Sequence, residues 1–79
     1  MKTSKIPMSA ISVVTSLYYY DYNKEPKGRG CWAFSIGSKE AYRDVSKAFF
    51  TDSMTYREAV RVAKEEAQKR GATIIYVLP

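Results

Sequence analysis

An α+β domain with the element order β-β-β-α-β is the architecture this sequence predicts, and three observations predict it. Residues 10–22 are crowded with β-branched and aromatic side chains, the types enriched in strands. Residues 31–36, Cys-Trp-Ala-Phe-Ser-Ile, alternate large and small side chains with the period of two that a strand imposes. Residues 55–71 carry a helix start, an apolar helical stripe and a glycine stop, then run into an apolar strand at 73–78. A chain of 79 residues is expected to form one domain, burying roughly 60–65% of its unfolded surface.

Taken in order, residues 1–9 read as a flexible arm, because Lys2, Thr3, Ser4, Lys5, Pro7 and Ser9 give it little to bury. In strand one, alternation sets Ile11, Val13, Thr15, Leu17 and Tyr19 on one face. Ser12, Val14, Ser16, Tyr18, Tyr20 and Tyr22 fall on the other. Residues 23–30 read as a turn from Asn23, Pro26, Gly28 and Gly30, so strands one and two form a hairpin. In strand two, Trp32, Phe34 and Ile36 oppose Cys31, Ala33 and Ser35. A polar connection over 37–44 leads to a short strand three at 45–51.

The helix is the best-specified element. Thr55-Tyr56-Arg57-Glu58 matches a capping box, in which the two side chains reciprocally satisfy free backbone N–H groups. Tyr56, Ala59, Val60, Ala63 and Ala67 form the apolar stripe. Glu65–Lys69 and Glu66–Arg70 are i,i+4 pairs in the favourable order, Lys69 and Arg70 suit the negative end of the helix dipole, and Gly71 is a natural stop. Strand four, entered from a helix and apolar on both faces, is expected to run parallel to a neighbour. As the last element it is expected to leave one edge open, to be covered or used in a homodimer.

Composition restricts the function classes. The net charge of +5, from 13 basic and 8 acidic residues, gives a preference for anionic partners, although a charge of this size also serves plain solubility. With no histidine and one cysteine, a Ser-His-Asp triad, an intramolecular disulfide and a multi-cysteine zinc site are excluded. Cys31, within an apolar pattern, reads as a small hydrophobe. No P-loop or metal-ligand pattern can be written, so no cofactor and no metal are expected. No apolar run reaches membrane-spanning length, and the start of the chain lacks the apolar block of a signal peptide. The expectation is a cytoplasmic protein that does not engage membranes.

Gly30-Cys31-Trp32-Ala33-Phe34-Ser35-Ile36, the helix start Ser53-Met54-Thr55-Tyr56-Arg57-Glu58-Ala59-Val60, and Lys69-Arg70-Gly71-Ala72-Thr73-Ile74-Ile75-Tyr76-Val77 together resemble the N-terminal half of a ribonuclease H-like fold. That resemblance implies an antiparallel three-stranded meander followed by a helix and a parallel strand. Catalytic members hold two metal ions with carboxylates from several elements, stabilising both attacking and leaving oxygens. Here only Glu58 falls at such a position, and Asp21 is the only acid in the strand-one region. The same order is similar to the truncated ribonuclease H-like domain of HicB-type antitoxins, through Thr51-Asp52-Ser53-Met54-Thr55-Tyr56-Arg57-Glu58-Ala59. That second resemblance implies a regulatory protein-interaction module.

The candidate binding residues are aromatic and basic. Tyr18, Tyr20, Tyr22 and Trp32 offer faces on which bases stack, or else pack across strands within the sheet. Lys24, Lys27 and Arg29, with Gly28 and Gly30, form a loop suited to a phosphate backbone. Arg57, Arg61, Lys64 and Gln68 share one helical stripe, which reads first as a solvated face. Glu58 is accounted for by the capping box. The leading expectation is therefore a small non-catalytic nucleic-acid-binding module, not an enzyme and with no catalytic residue. The alternative is a protein-interaction module of HicB-like type working through a dimer or partner interface. A degenerate nuclease with metal at Asp21 and Glu58 is the third reading.

Overall fold

Residues 6–79 are described by a computed structural model, and it is an α+β fold. A four-stranded mixed sheet is built from β1 (Ser12–Val14), β3 (Ala33–Ile36), β4 (Phe49–Phe50) and β6 (Ile74–Val77), in the order β1-β6-β3-β4. A two-residue ribbon pairs β2 (Arg29–Gly30) with β5 (Met54–Thr55). The helices are α1 (Ser16–Tyr22), the single turn α2 (Glu40–Arg43) and α3 (Tyr56–Arg70).

The last strand runs parallel to the first, with Ser12 opposite Ile74 and Val14 opposite Tyr76. It is not an edge, however. β3 pairs along its other side, Phe34 opposite Val77 and Ile36 opposite Ile75. The open edge expected on strand four is thus absent, and Ile75 and Val77 are fully buried. The expected hairpin of strands one and two is also replaced, because β6 lies between β1 and β3. The antiparallel meander implied by the ribonuclease H-like resemblance would have set those two strands side by side.

The largest departure is at residues 10–22. Only Ser12–Val14 form a strand, and the tyrosine run is helical. In a strand, Tyr18 and Tyr22 would stand roughly 13 Å apart along one face. One helical turn instead brings their rings to 4.6 Å and sets Tyr18 6.0 Å from the Trp32 ring. This aromatic packing outweighs β-propensity, which is a measure of surface fit more than of backbone preference. Asn23 ends the helix in the left-handed region, φ 56°, donating its N–H to the Tyr19 carbonyl at 2.7 Å. The expected strand three contracts to β4, because residues 45–47 form a 3-10 turn capped by the Asp44 carboxylate, which accepts from the Ser46 N–H.

α3 forms as its sequence requires. Thr55 Oγ1 accepts from the Glu58 N–H at 3.2 Å, and Glu58 Oε1 accepts from the Thr55 N–H at 3.1 Å. Gly71 closes the helix at φ 72°. Ala59, Ala63 and Ala67 are fully buried, and their small size lets α3 lie close against the Phe34, Ile75 and Val77 face of the sheet. On the opposite face Ser35 is buried with its hydroxyl donating to the Ser38 carbonyl and accepting from the Ala41 N–H. Glu66 pairs with Arg70 at 2.9 Å as expected, whereas Glu65 pairs with Arg61 at 3.0 Å and not with Lys69.

Of the arm expected at residues 1–9, residues 1–5 lie outside the described residues. The rest is held down. The Ile6 carbonyl accepts from Gln68 Nε2 at 2.6 Å, and Met8–Ala10 form a 3-10 turn. Cys31 is exposed and free, not the packed hydrophobe its pattern suggested.

Three stability outcomes follow from α3. Thr55→Ala should cost about 1 kcal/mol, the usual loss for a removed N-cap, and lower Tm by roughly 4–8 °C in a domain of this size. The Glu58 carboxyl is held below its ordinary range, first by the Thr55 backbone N–H and then by the Thr55 hydroxyl. A carboxyl depressed by folding adds stability that is present above its unfolded value and lost as pH falls through its folded value. Thermal melts of wild type and Glu58→Gln over an acid series should therefore converge as pH drops below the ordinary glutamate value of about 4.3. A constant gap between the two curves would refute the linkage. Ala63→Leu should cost about 1–3 kcal/mol, because the fully buried stripe leaves no room for added methylenes.

Candidate nucleic-acid interface

The aromatic and basic residues singled out above come from separate segments, and the fold sorts them. α1 supplies Tyr18 and Tyr22. The loop after it, turned by Gly28 at φ 88°, supplies Lys27, and β2 supplies Arg29. These four side chains, with Cys31, Trp32 and the chain segment Leu78–Pro79, line a cleft of about 380 Å³. That volume lies within the range of small-molecule sites.

Each wall has a local cause. Tyr18 and Tyr22 share one side of α1 because they are four residues apart. Arg29 is fixed by pairing with Thr55, and the Gly28 carbonyl accepts from the Tyr56 N–H at 2.8 Å, tying the loop to the start of α3. Leu78 is drawn in by its N–H, which donates to the Ala33 carbonyl at 2.9 Å.

Trp32 serves the cleft from behind. It is 8% exposed, its Nε1–H donates to the Met54 carbonyl at 3.0 Å, and its ring lies between Tyr18 and Tyr56, the latter at 5.1 Å. It is a core wall and not a free stacking surface, which corrects the expectation for this residue. Tyr20 is 84% exposed but lies on the other side of α1, where with Tyr19, Val13 and Val14 it borders a separate apolar hollow. Lys24 is exposed and does not line the cleft. Five of the seven expected residues therefore converge (Tyr18, Tyr22, Lys27, Arg29 and Trp32), and Tyr20 and Lys24 stand apart.

No acidic side chain lines the cleft, and among the described residues the ion pairs are Lys47–Glu40, Arg61–Glu65 and Arg70–Glu66, so Lys27 and Arg29 are in none. The charge of Arg29 extends to Glu58, where it adds to the hydrogen bonds that depress that carboxyl. Burial raises the Tyr56 phenol above its ordinary value, with a further contribution from the Glu25 charge. Unpaired cations beside half-exposed tyrosine rings can hold a phosphate while a planar group rests on the rings.

The degenerate-nuclease reading names Asp21 and Glu58. Asp21 is exposed on α1, and Glu58 is committed to Thr55. Among the described residues, no three His, Cys, Asp or Glu side chains form a metal-binding group. Among the described residues, no helix is long and apolar enough to cross a membrane. Sequence reasoning missed the contributions of Cys31, Leu78 and Pro79, which depend on pairing between strands far apart in the chain. The Tyr18–Tyr22 alliance did carry a signal, a four-residue spacing followed by Asn23 as a helix stop. Compared with protein-family models, curated proteins and solved structures, the chain has no match.

Proposed function

We propose that this chain is a small non-catalytic module that binds nucleic acid, with a single strand seated at the cleft between α1 and β2. The observation that carries the reading is the convergence of Tyr18 and Tyr22 with Lys27 and Arg29 in one concavity lined by no acidic side chain. Stacking needs an unpaired base face, which a single strand offers and a duplex hides. The reading rests on these side chains and not on the ribonuclease H-like or HicB-type resemblance.

A second reading, a protein-interaction or self-association surface of the HicB-like kind, is supported by β4. There Phe50 is 59% exposed on an edge strand of the sheet, and Val45, in the 3-10 turn that precedes β4, is 64% exposed. In that reading light scattering gives about twice the 9.0 kDa chain mass; a monomer at high concentration would exclude a homodimer.

The test of the first reading is fluorescence anisotropy with labelled single-stranded DNA, single-stranded RNA and duplex DNA over a salt series. Single strands should bind more tightly than duplex. The double variant Lys27→Ala/Arg29→Ala should flatten the plot of log K against log salt by about 1.4, two contacts at about 0.7 each. Tyr22→Ala should weaken binding by about 1–3 kcal/mol, the usual worth of one stacked base. Tyr20→Ala, on the other side of α1, should leave it unchanged. Salt-independent binding, or none at low salt, would refute the reading and turn attention to the β4 edge.

A further inference from the structure

The basic side of α3 faces the same ligand problem as the cleft, and Arg29 stands between the two. Arg29 lines the cleft, yet in the ribbon it is opposite Thr55, two positions before Arg57. Arg57, Arg61 and Lys64 follow at helical spacing and, with Met8 and Glu58, border a second hollow of about 460 Å³. From Arg57 to Lys64 this side of the helix extends the positive surface by roughly 10 Å. Arg57 and Lys64 are in no ion pair among the described residues, whereas Arg61 is held by Glu65 at 3.0 Å. Glu58 is the one acid bordering the hollow. Its carboxylate is already engaged by the Thr55 N–H and hydroxyl, and Arg29 and Arg61 both act on it electrostatically.

We infer that Arg29, Arg57 and Lys64 form a continuous phosphate track, along which a single strand leaving the cleft is carried over the β2–β5 ribbon onto α3. This inference rests on the cleft reading and adds its direction and extent. The cleft supplies stacking and the track supplies charge without base contact, so strand length, more than sequence, governs occupancy of α3. Length dependence is thus the property that separates a track from a solvated helix face.

The experiment compares labelled single strands of about four and about twelve nucleotides, within the range of site sizes known for single-strand binders, over a salt series. For Arg57→Ala/Lys64→Ala, the long-strand salt slope should flatten by about 1.4, and the short strand should bind as to wild type, which also shows that the variant is folded. Glu65→Gln, which releases Arg61, should tighten binding of the long strand only. Equal slopes for variant and wild type on the long strand overturn the track and leave the cleft reading intact. Equal weakening of both strands also overturns it, because the variant then acts on the cleft. Failure of both strands to bind wild type removes the cleft reading and the track together.

Discussion

The burial of a single indole, Trp32, is the constraint on which the rest of the structure depends. Its ring nitrogen donates to the Met54 carbonyl, its backbone N–H donates to Thr51 Oγ1, and its carbonyl accepts from the Thr51 N–H. Its ring is flanked by Tyr18 of α1 and Tyr56 of α3. Segments separated in sequence by tens of residues are thereby fixed around one side chain. A buried indole leaves a polar N–H that must find a partner, and here the partner is backbone at the β2–β5 ribbon. The ribbon is only two residues wide on each side, too short to persist alone, so its register is held by tertiary contacts.

The sheet shows a complementary economy. β6 is interior, with Ile75 and Val77 fully buried, and faces three fully buried alanines of α3 across a thin layer. Small residues on the helix bring its backbone near the sheet, and the bulk that fills the layer comes from Phe34, Ile75 and Val77. A domain this small can thus bury two apolar strands beneath one helix of 15 residues. The α1 and α2 turns cover what remains, which is why Ser35 could be buried only with both hydrogen bonds satisfied.

What was legible in the sequence was what local chemistry determines. The Thr55–Glu58 box, the alanine stripe and the Gly71 stop follow from spacings within one helix, the parallel C-terminal strand follows from an apolar run entered from that helix, and the structure has all four. The facing of Ile11 and Val13 against Ser12 and Val14 was legible for the same reason. The tyrosine run was misread because its composition fits a strand, and its helical state depends on Trp32, ten to fourteen residues further on. The interior place of β6 was not legible either, since strand order is a matter of long-range pairing. For the candidate site the residue types were readable, and the partition among them was not. Nothing local separates Tyr22, at the cleft, from Tyr20, across the helix, until the segment is known to turn every 3.6 residues instead of every two.

That partition also bears on how the proposed stacking surface would be held in so short a chain. A tyrosine on a mobile loop would lose rotamer freedom on binding, and that ordering opposes affinity. Here Tyr18 is braced against Trp32, and Tyr22 lies against Tyr18 at 4.6 Å, so the core holds the platform from behind. Using Trp32 as the stacking residue itself would remove the brace and expose the indole that anchors the ribbon carrying Arg29. The fold therefore divides the aromatic work: Trp32 is spent inside, and the tyrosines, whose hydroxyls tolerate water, meet the solvent. The cations are placed by the same brace, because the ribbon that accepts the indole N–H also fixes Arg29 beside α3. Core and cleft are two sides of one aromatic cluster, and the stability of the first is the preorganisation of the second.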